Sequence, residues 1–165
     1  MMTWARVSLL ALISALAATG AAANEADSNY QTARACSTEM KNGAQLAPEA
    51  RRVCVLAIAT TYIDAEDNSL APEKQLVADD VSRHRLGTPP EHKPGNGAKL
   101  IADMSHAVIA AIKNRRWVVE GNNAWVEYDG YLTSDPEKPG FYVAERITIE
   151  NGLIKEILVA GISRK

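Results

Sequence analysis

Along residues 141–149, apolar and polar side chains alternate. Successive side chains on a strand face opposite sides, so this period of two predicts a strand. One side carries Phe141, Val143, Glu145, Ile147 and Ile149, and the other carries Tyr142, Ala144, Arg146 and Thr148. The same period runs through Trp117-Val118-Val119 and Ala124-Trp125-Val126-Glu127-Tyr128, which flank the turn Glu120-Gly121-Asn122-Asn123. A polar loop containing Pro136 and Pro139 leads into residues 141–149. Asn151-Gly152 is a hairpin turn, and residues 153–162 form the last strand.

Upstream the period is helical. Residues 25–42 carry no breaker, and Asn42-Gly43 ends them as a C-cap would. Pro48 opens a second helix running to about residue 66, with Val55, Ile58, Ala59 and Tyr62 on one face. Pro72 begins a helical turn that Ala78-Asp79-Asp80 closes, and residues 81–86 read as a short strand. Residues 87–97 are a loop rich in proline and glycine, suited to a lid or a plain connection. A third helix is expected from Ala98 to about Asn114. Its buried stripe would be Leu100, Ile101, Met104, Val108, Ala111 and Ile112, leaving His106 exposed. Helices followed by a meander of strands indicate an α+β domain.

The first residues stand apart from this domain. A positive side chain at Arg6, the apolar run 7–18 and the small residues Thr19-Gly20-Ala21-Ala22-Ala23 read as a secretory signal peptide cut after Ala23. A retained anchor is the competing reading. The expected division is 1–23 signal peptide, 24–47 N-terminal helical extension and 48–165 folded domain. The whole chain carries a net charge of −2, and loss of Arg6 leaves −3. That balance gives no support to nucleic-acid binding, and no later stretch is long and apolar enough to span a membrane. Export to the periplasm or the outside places Cys36 and Cys54 in an oxidising compartment, where a bridge between consecutive helices is the default and a pair of buried thiols the alternative. Three histidines without metal-site spacing, and no CxxC, predict neither a metal site nor a cofactor.

Glu145 is the misfit of the strand pattern. A carboxylate among apolar groups must find a partner or hold its proton. The plain alternative is a structural ion pair with a nearby arginine. On residues 81–86, Arg83 and Arg85 alternate with His84. If the arginines face inward, His84 faces out; the reverse register would make His84 the acid–base group. Tyr62 is either a hydrogen-bond donor into a pocket or a helix residue with a wet tip. Asp64 falls on another helix face and is expected in solvent. Trp117, Trp125 and Tyr128 would line a binding cavity or form ordinary core. Glu156, sharing a strand face with Ile154, Leu158, Ala160 and Ile162, repeats the Glu145 pattern in second rank.

Several local runs carry a family resemblance. They are Tyr62-Ile63-Asp64-Ala65, Ala78-Asp79-Asp80-Val81, Arg116-Trp117-Val118-Val119-Glu120-Gly121, and Ala144-Glu145-Arg146-Ile147 followed by Asn151-Gly152-Leu153-Ile154. In this order the chain resembles the NTF2-like superfamily, over roughly residues 51–162. The resemblance implies a curved antiparallel sheet forming a cone wrapped by three helices, here with an extra N-terminal helix, and a pocket inside. Ketosteroid isomerases of this superfamily hold a substrate oxyanion with a tyrosine and a protonated acid. Tyr62 and Glu145 resemble those two groups. The position of that family's catalytic base falls at or beside Arg85, where no acid stands, which argues against simple steroid isomerisation. Limonene epoxide hydrolase and the SnoaL-like cyclases are also similar. An arginine holding Glu145 or Glu156 would echo the hydrolase, but the spacing does not assign its triad.

The implied function is a secreted or periplasmic enzyme doing cofactor-free acid–base chemistry: an isomerase, dehydratase, lyase or hydrolase. Glu145 would be acid or base, Tyr62 a donor, and Arg83 or Arg85 the orienting cation. The alternative is a non-catalytic ligand-binding or dimerisation module of the same fold. The expected partner is a small apolar or aromatic molecule, with no nucleic acid, no membrane after signal cleavage, and a homodimer left open.

Overall fold

The computed structural model describes the backbone of residues 7–105 and 108–163 and the side chains of 23–105 and 108–162; His106, expected to be exposed, lies outside them. Helix α2, Pro48–Glu66, starts with proline in its first turn and Glu49 beside it, where a negative charge suits the helix dipole. Val55, Ile58, Ala59 and Tyr62 are all buried, as the helical spacing predicts. The burial is wider than one face. Thr61, Ile63, Asp64, Ala65 and Glu66 are buried too. Helix α1, Val7–Lys41, covers α2 on one side and the sheet covers it on the other. Cys36 and Cys54 form a disulfide that joins the two helices.

A short 3-10 turn, Pro72–Lys74, precedes β1, Val77–Arg85; helix α3, Asn96–Met104, follows. Then come β2 (Ile109–Glu120), β3 (Asn123–Leu132), β4 (Asp135–Glu150) and β5 (Leu153–Ser163). They form one five-stranded sheet in the order β1-β5-β4-β3-β2. Neighbours are antiparallel, except that β1 runs parallel to β5 at the edge. This is the α+β cone expected from the resemblance.

Several boundaries differ from the sequence expectation. The third helix ends at Met104, ten residues early, and residues 109–114 belong to β2. Leu100 and Met104 are buried on α3, whereas Val108 is exposed and Ile112 is buried on β2. A short apolar run carries no decisive period, and pairing of Ile109 with Leu132 and Ile112 with Gly130 decides it for strand. The polar loop before residue 141 shrinks to a turn, because β4 already starts at Asp135. The prolines fit there: β5 reaches β4 only as far as Phe141, so one edge of residues 135–140 lacks a β5 partner and needs no N–H. Ala78-Asp79-Asp80 does not close a helical turn but belongs to β1.

The hairpin between β4 and β5 turns on Asn151 (φ 48°) and Gly152 (φ 74°), the left-handed pair that a two-residue turn requires. A side chain at Gly152 would stand 2.4 Å from the Ser37 carbonyl oxygen, so this turn seats directly on α1.

Candidate functional site

On β4, Val143, Glu145, Ile147 and Ile149 are buried, as the alternation predicts, and Glu145 is only 1% exposed. Its row faces α2. Glu145 pairs with Val126 of β3 and Val159 of β5. Tyr128, one alternation further along β3, puts its hydroxyl 3.3 Å from Glu145 Oε1 and 2.9 Å from Glu66 Oε2. Tyr62 sits one helical turn before Glu66, with its hydroxyl 3.4 Å from Glu66 Oε1. Arg83 reaches in from β1: Nε donates to the Tyr62 hydroxyl at 2.8 Å, and Nη2 donates to Glu66 Oε1 at 3.4 Å. The same Nη2 lies 4.0 Å from Glu145 Oε1. Two acids, two tyrosines and one arginine therefore form a single network.

The Tyr128 hydroxyl has one proton and two carboxyl neighbours. It donates over the shorter distance to Glu66, and the longer contact is satisfied when protonated Glu145 donates to it. Glu66 is then the ionised acid, accepting from Tyr128, Tyr62 and Arg83. Burial raises the Glu145 pKa well above the usual carboxylate range, and the Glu66 charge raises it further, against the opposing pull of Arg83 and Tyr128. Burial also raises Glu66, with Arg83 and the two tyrosine hydroxyls opposing. Burial pushes the Tyr62 and Tyr128 hydroxyls up as well, so both stay neutral donors.

These raised acids fix a sign. The folded state keeps protons that the unfolded chain has released, so their contribution to stability is present below the ordinary value of 4.5 and is lost as pH rises through the folded values. Unfolding free energy should fall as pH increases above 4.5, by up to about 1.4 kcal/mol per pH unit for each extra bound proton. Glu145→Gln should flatten most of that slope. Urea unfolding across a pH series measures it, and an unchanged slope in the variant would assign the extra proton elsewhere.

A cavity of about 1110 Å³ opens beside this network. Its wall comes from β1 (Val81, Ser82, Arg83, His84, Arg85), the following loop, α3 (Asn96, Lys99, Leu100, Asp103), Phe141 and Val143 of β4, and the end of β5. Arg83 belongs both to this wall and to the buried network. Tyr62, Glu66, Trp117, Tyr128 and Glu145 are not in the wall. Glu145 lies one alternation beyond Val143 on the same buried face of β4. Gly130 helps shape the cavity, because a side chain there would run into the Phe141 ring at 2.1 Å.

The arginine-inward register holds. Arg83 points toward α2, while His84 turns to the opposite side of the sheet, with Nε2 3.5 Å from Glu156 Oε1 and Nδ1 2.8 Å from the Thr88 carbonyl oxygen. Arg85 is exposed at the cavity rim. Glu156 does not share a face with Ile154. A register shift between Thr148 and Ile149 of β4 turns Glu156 to the outer face, where it pairs with Arg146. Trp125 is on that outer face as well, its ring 5.8 Å from the Arg146 guanidinium. Trp117 packs against the core.

Asp64 is not solvated. It is buried and paired with Arg115 of β2 at 2.5 Å, and Asp67 takes the other arm of the same guanidinium. Glu66 is the functional candidate that sequence reading missed; its spacing of four from Tyr62 on the buried helix face was the available signal. Among the described residues, no group of three or more His, Cys, Asp or Glu side chains is placed to hold a metal.

No curated protein matches the sequence. Among solved structures, an NTF2-like protein of unknown function from Cytophaga hutchinsonii is 15% identical, with a TM-score of 0.51 over 66% of this chain and 89% of that chain. A candidate ketosteroid isomerase from Kribbella flavida is 18% identical, with a TM-score of 0.54 over 67% of this chain and 79% of that one. A phenazine biosynthesis-related protein from Pseudomonas aeruginosa is 16% identical, with a TM-score of 0.54 over 71% and 80%. At these identities the likeness is one of fold, and it is the NTF2-like fold. Residues 48–160 match the family described as a domain of unknown function, DUF8021, and the chain belongs to that family.

Proposed function

We propose that this is an exported small-molecule-binding domain, whose cone takes a compact apolar or aromatic ligand against Arg83. The carrying observation is the open cavity of about 1110 Å³ whose wall includes that one arginine of the buried network. Its apolar surface comes from Leu100, Phe141, Val143 and Val159, and its polar anchor from a guanidinium already oriented by Tyr62 and Glu66. Two neighbours of the same fold carry names tied to small molecules, ketosteroid isomerase and phenazine biosynthesis. Export rests on the N-terminal apolar run and fits the Cys36–Cys54 bridge. Among the described residues no helix is long and apolar enough to cross a membrane.

A second reading is a cofactor-free isomerase, dehydratase, lyase or hydrolase. It is favoured by the meeting of the Glu66 and Glu145 carboxyls on the Tyr128 hydroxyl and by Glu145 Oε2, which is buried without a hydrogen-bond partner. For that chemistry Arg83 would swing aside, so that a substrate reached Tyr62 and Glu145.

Titration with neutral aromatic probes, indole and 2-naphthol, followed by amide NMR, tests the binding reading. Saturable shifts should centre on Phe141, Val143 and residues 159–161. Shifts scattered over the surface, or none, would defeat it. Glu145→Gln should leave probe affinity within about threefold, since one lost neutral contact behind the wall is worth under 1 kcal/mol. An enzyme would instead lose turnover of its substrate in that variant at unchanged fold.

A further inference from the structure

Arg83 spends only part of its donor set on the protein. Nε bonds Tyr62 and Nη2 bonds Glu66, while Nη1 has no protein partner among the described residues, and the side chain is 42% exposed. Arg83 belongs to the cavity wall. A planar fork with two outward N–H groups matches a carboxylate.

The charge behind that fork is closely balanced. With the proton held on Glu145, Glu66 is the single anion facing Arg83. The groups that face the pair are Tyr62 from α2, Arg83 from β1 and Tyr128 from β3; β5 contributes only Ile157 and Val159. Asp67 lies beyond Glu66 and is already paired with Arg115. Of the other cations in the wall, Lys99 is paired with Asp103 and Arg85 is exposed at the rim, whereas Arg83 is the one held against the buried acids.

We propose that the cavity takes a ligand bearing a carboxylate, seated on the free edge of Arg83, and that its binding carries a proton from solvent into the Glu66–Glu145 pair. This deepens the binding reading and rests on it. A ligand carboxylate would set two anions against one guanidinium. Desolvation makes the buried partner the costlier charge to keep, so Glu66 is the site that accepts the proton. Ligand anion and proton enter together, and no net charge is added around Arg83.

The probes are benzoate and benzamide, alike in shape and different in charge. Above pH 6, where benzoate stays ionised, benzoate should bind the full-length folded protein about tenfold tighter than benzamide, the worth of one charge-assisted contact. Its affinity should weaken as pH rises, and calorimetry in two buffers of different ionisation heat should register proton uptake approaching one per ligand. Arg83→Met should erase the preference for benzoate over benzamide. The double variant Glu66→Gln/Glu145→Gln should make benzoate affinity independent of pH. The wild-type proton count needs no variant, so the proposal stays testable if the double variant fails to fold. Benzamide binding as well as or better than benzoate, or benzoate binding without proton uptake, would overturn the proposal and leave the cavity reading standing. Neither probe binding in the cavity would overturn both.

Discussion

Replacing Cys36 and Cys54 together by alanine lowers the unfolding free energy by about 3 kcal/mol, the entropy of closing a loop of this length. The separation is 18 residues. The reason for so large a share lies in how little else holds α1. Its buried side chains among the described residues are Ala26, Ala33, Cys36 and Ser37, small groups that remove little apolar area from water. Its other ties are the Asn29 amide donating to the Ala57 carbonyl oxygen, the exposed Lys74–Asp27 pair, the partly buried Met40 and the close seat of the Gly152 turn on the Ser37 backbone. With the bridge gone, α1 should loosen first and expose the side of α2 it covers. Urea unfolding gives the total, and amide exchange locates it. Protection should drop along residues 26–41 while the β3–β4 ladder keeps its own. A loss spread evenly over the sheet would mean that the bridge acts on the whole domain rather than on the docking of α1.

The parts of this fold that were legible in the sequence are those where burial is one-sided. On β4 every second residue meets α2, so the strand, its face and the misfit of Glu145 could all be read from the period of two. On α2 the stripe Val55, Ile58, Ala59 and Tyr62 marked the helix. The register of β1 was left between two alternatives that depended on which side the arginines faced. What stayed hidden depends on pairing between distant segments. Asp64 looks solvated beside Tyr62 until β2 brings Arg115 to it from 51 residues away. Glu156 looks like a second buried acid until a single register shift turns it outward. Glu66 closes the last turn of a helix, where a polar residue ordinarily meets water. Only the covering by Tyr128 and Arg83 makes it the charged centre of the network. The residues of the candidate site were therefore half visible. Tyr62 and Glu145 stand out by type and face and Arg83 and Tyr128 by type alone, whereas the placement of the proton requires Glu66.

Arg115→Met should be the most damaging single substitution, destabilising by about 3 kcal/mol at neutral pH, the lower end for breaking a buried ion pair because the arginine is itself 24% exposed. Arg115 sits just past Asn114, whose positive φ of 58° marks the irregularity in β2 that aims the guanidinium at the end of α2. There it holds two carboxylates whose side chains are 7% and 11% exposed, Asp64 and Asp67. Asp67 has Ser69 to share its charge, with the hydroxyl at 2.6 Å. Asp64 has no such second donor among the described residues, and burial already raises its pKa above 3.8, with Arg115 pulling the other way. Without the arginine that pull disappears, and the Asp67 charge drives the Asp64 value higher still. The sign follows. The variant's deficit should be full at neutral pH and should shrink as pH falls, because Asp64 then takes a proton and needs no cation. Arg115→Met combined with Asp64→Asn should recover much of the loss at neutral pH, since replacing both partners leaves no uncompensated charge. Urea unfolding of the single and double variants at two pH values measures both effects. A deficit that ignores pH and survives the second substitution would make Arg115 a packing residue whose alkyl stem, rather than its charge, joins β2 to α2.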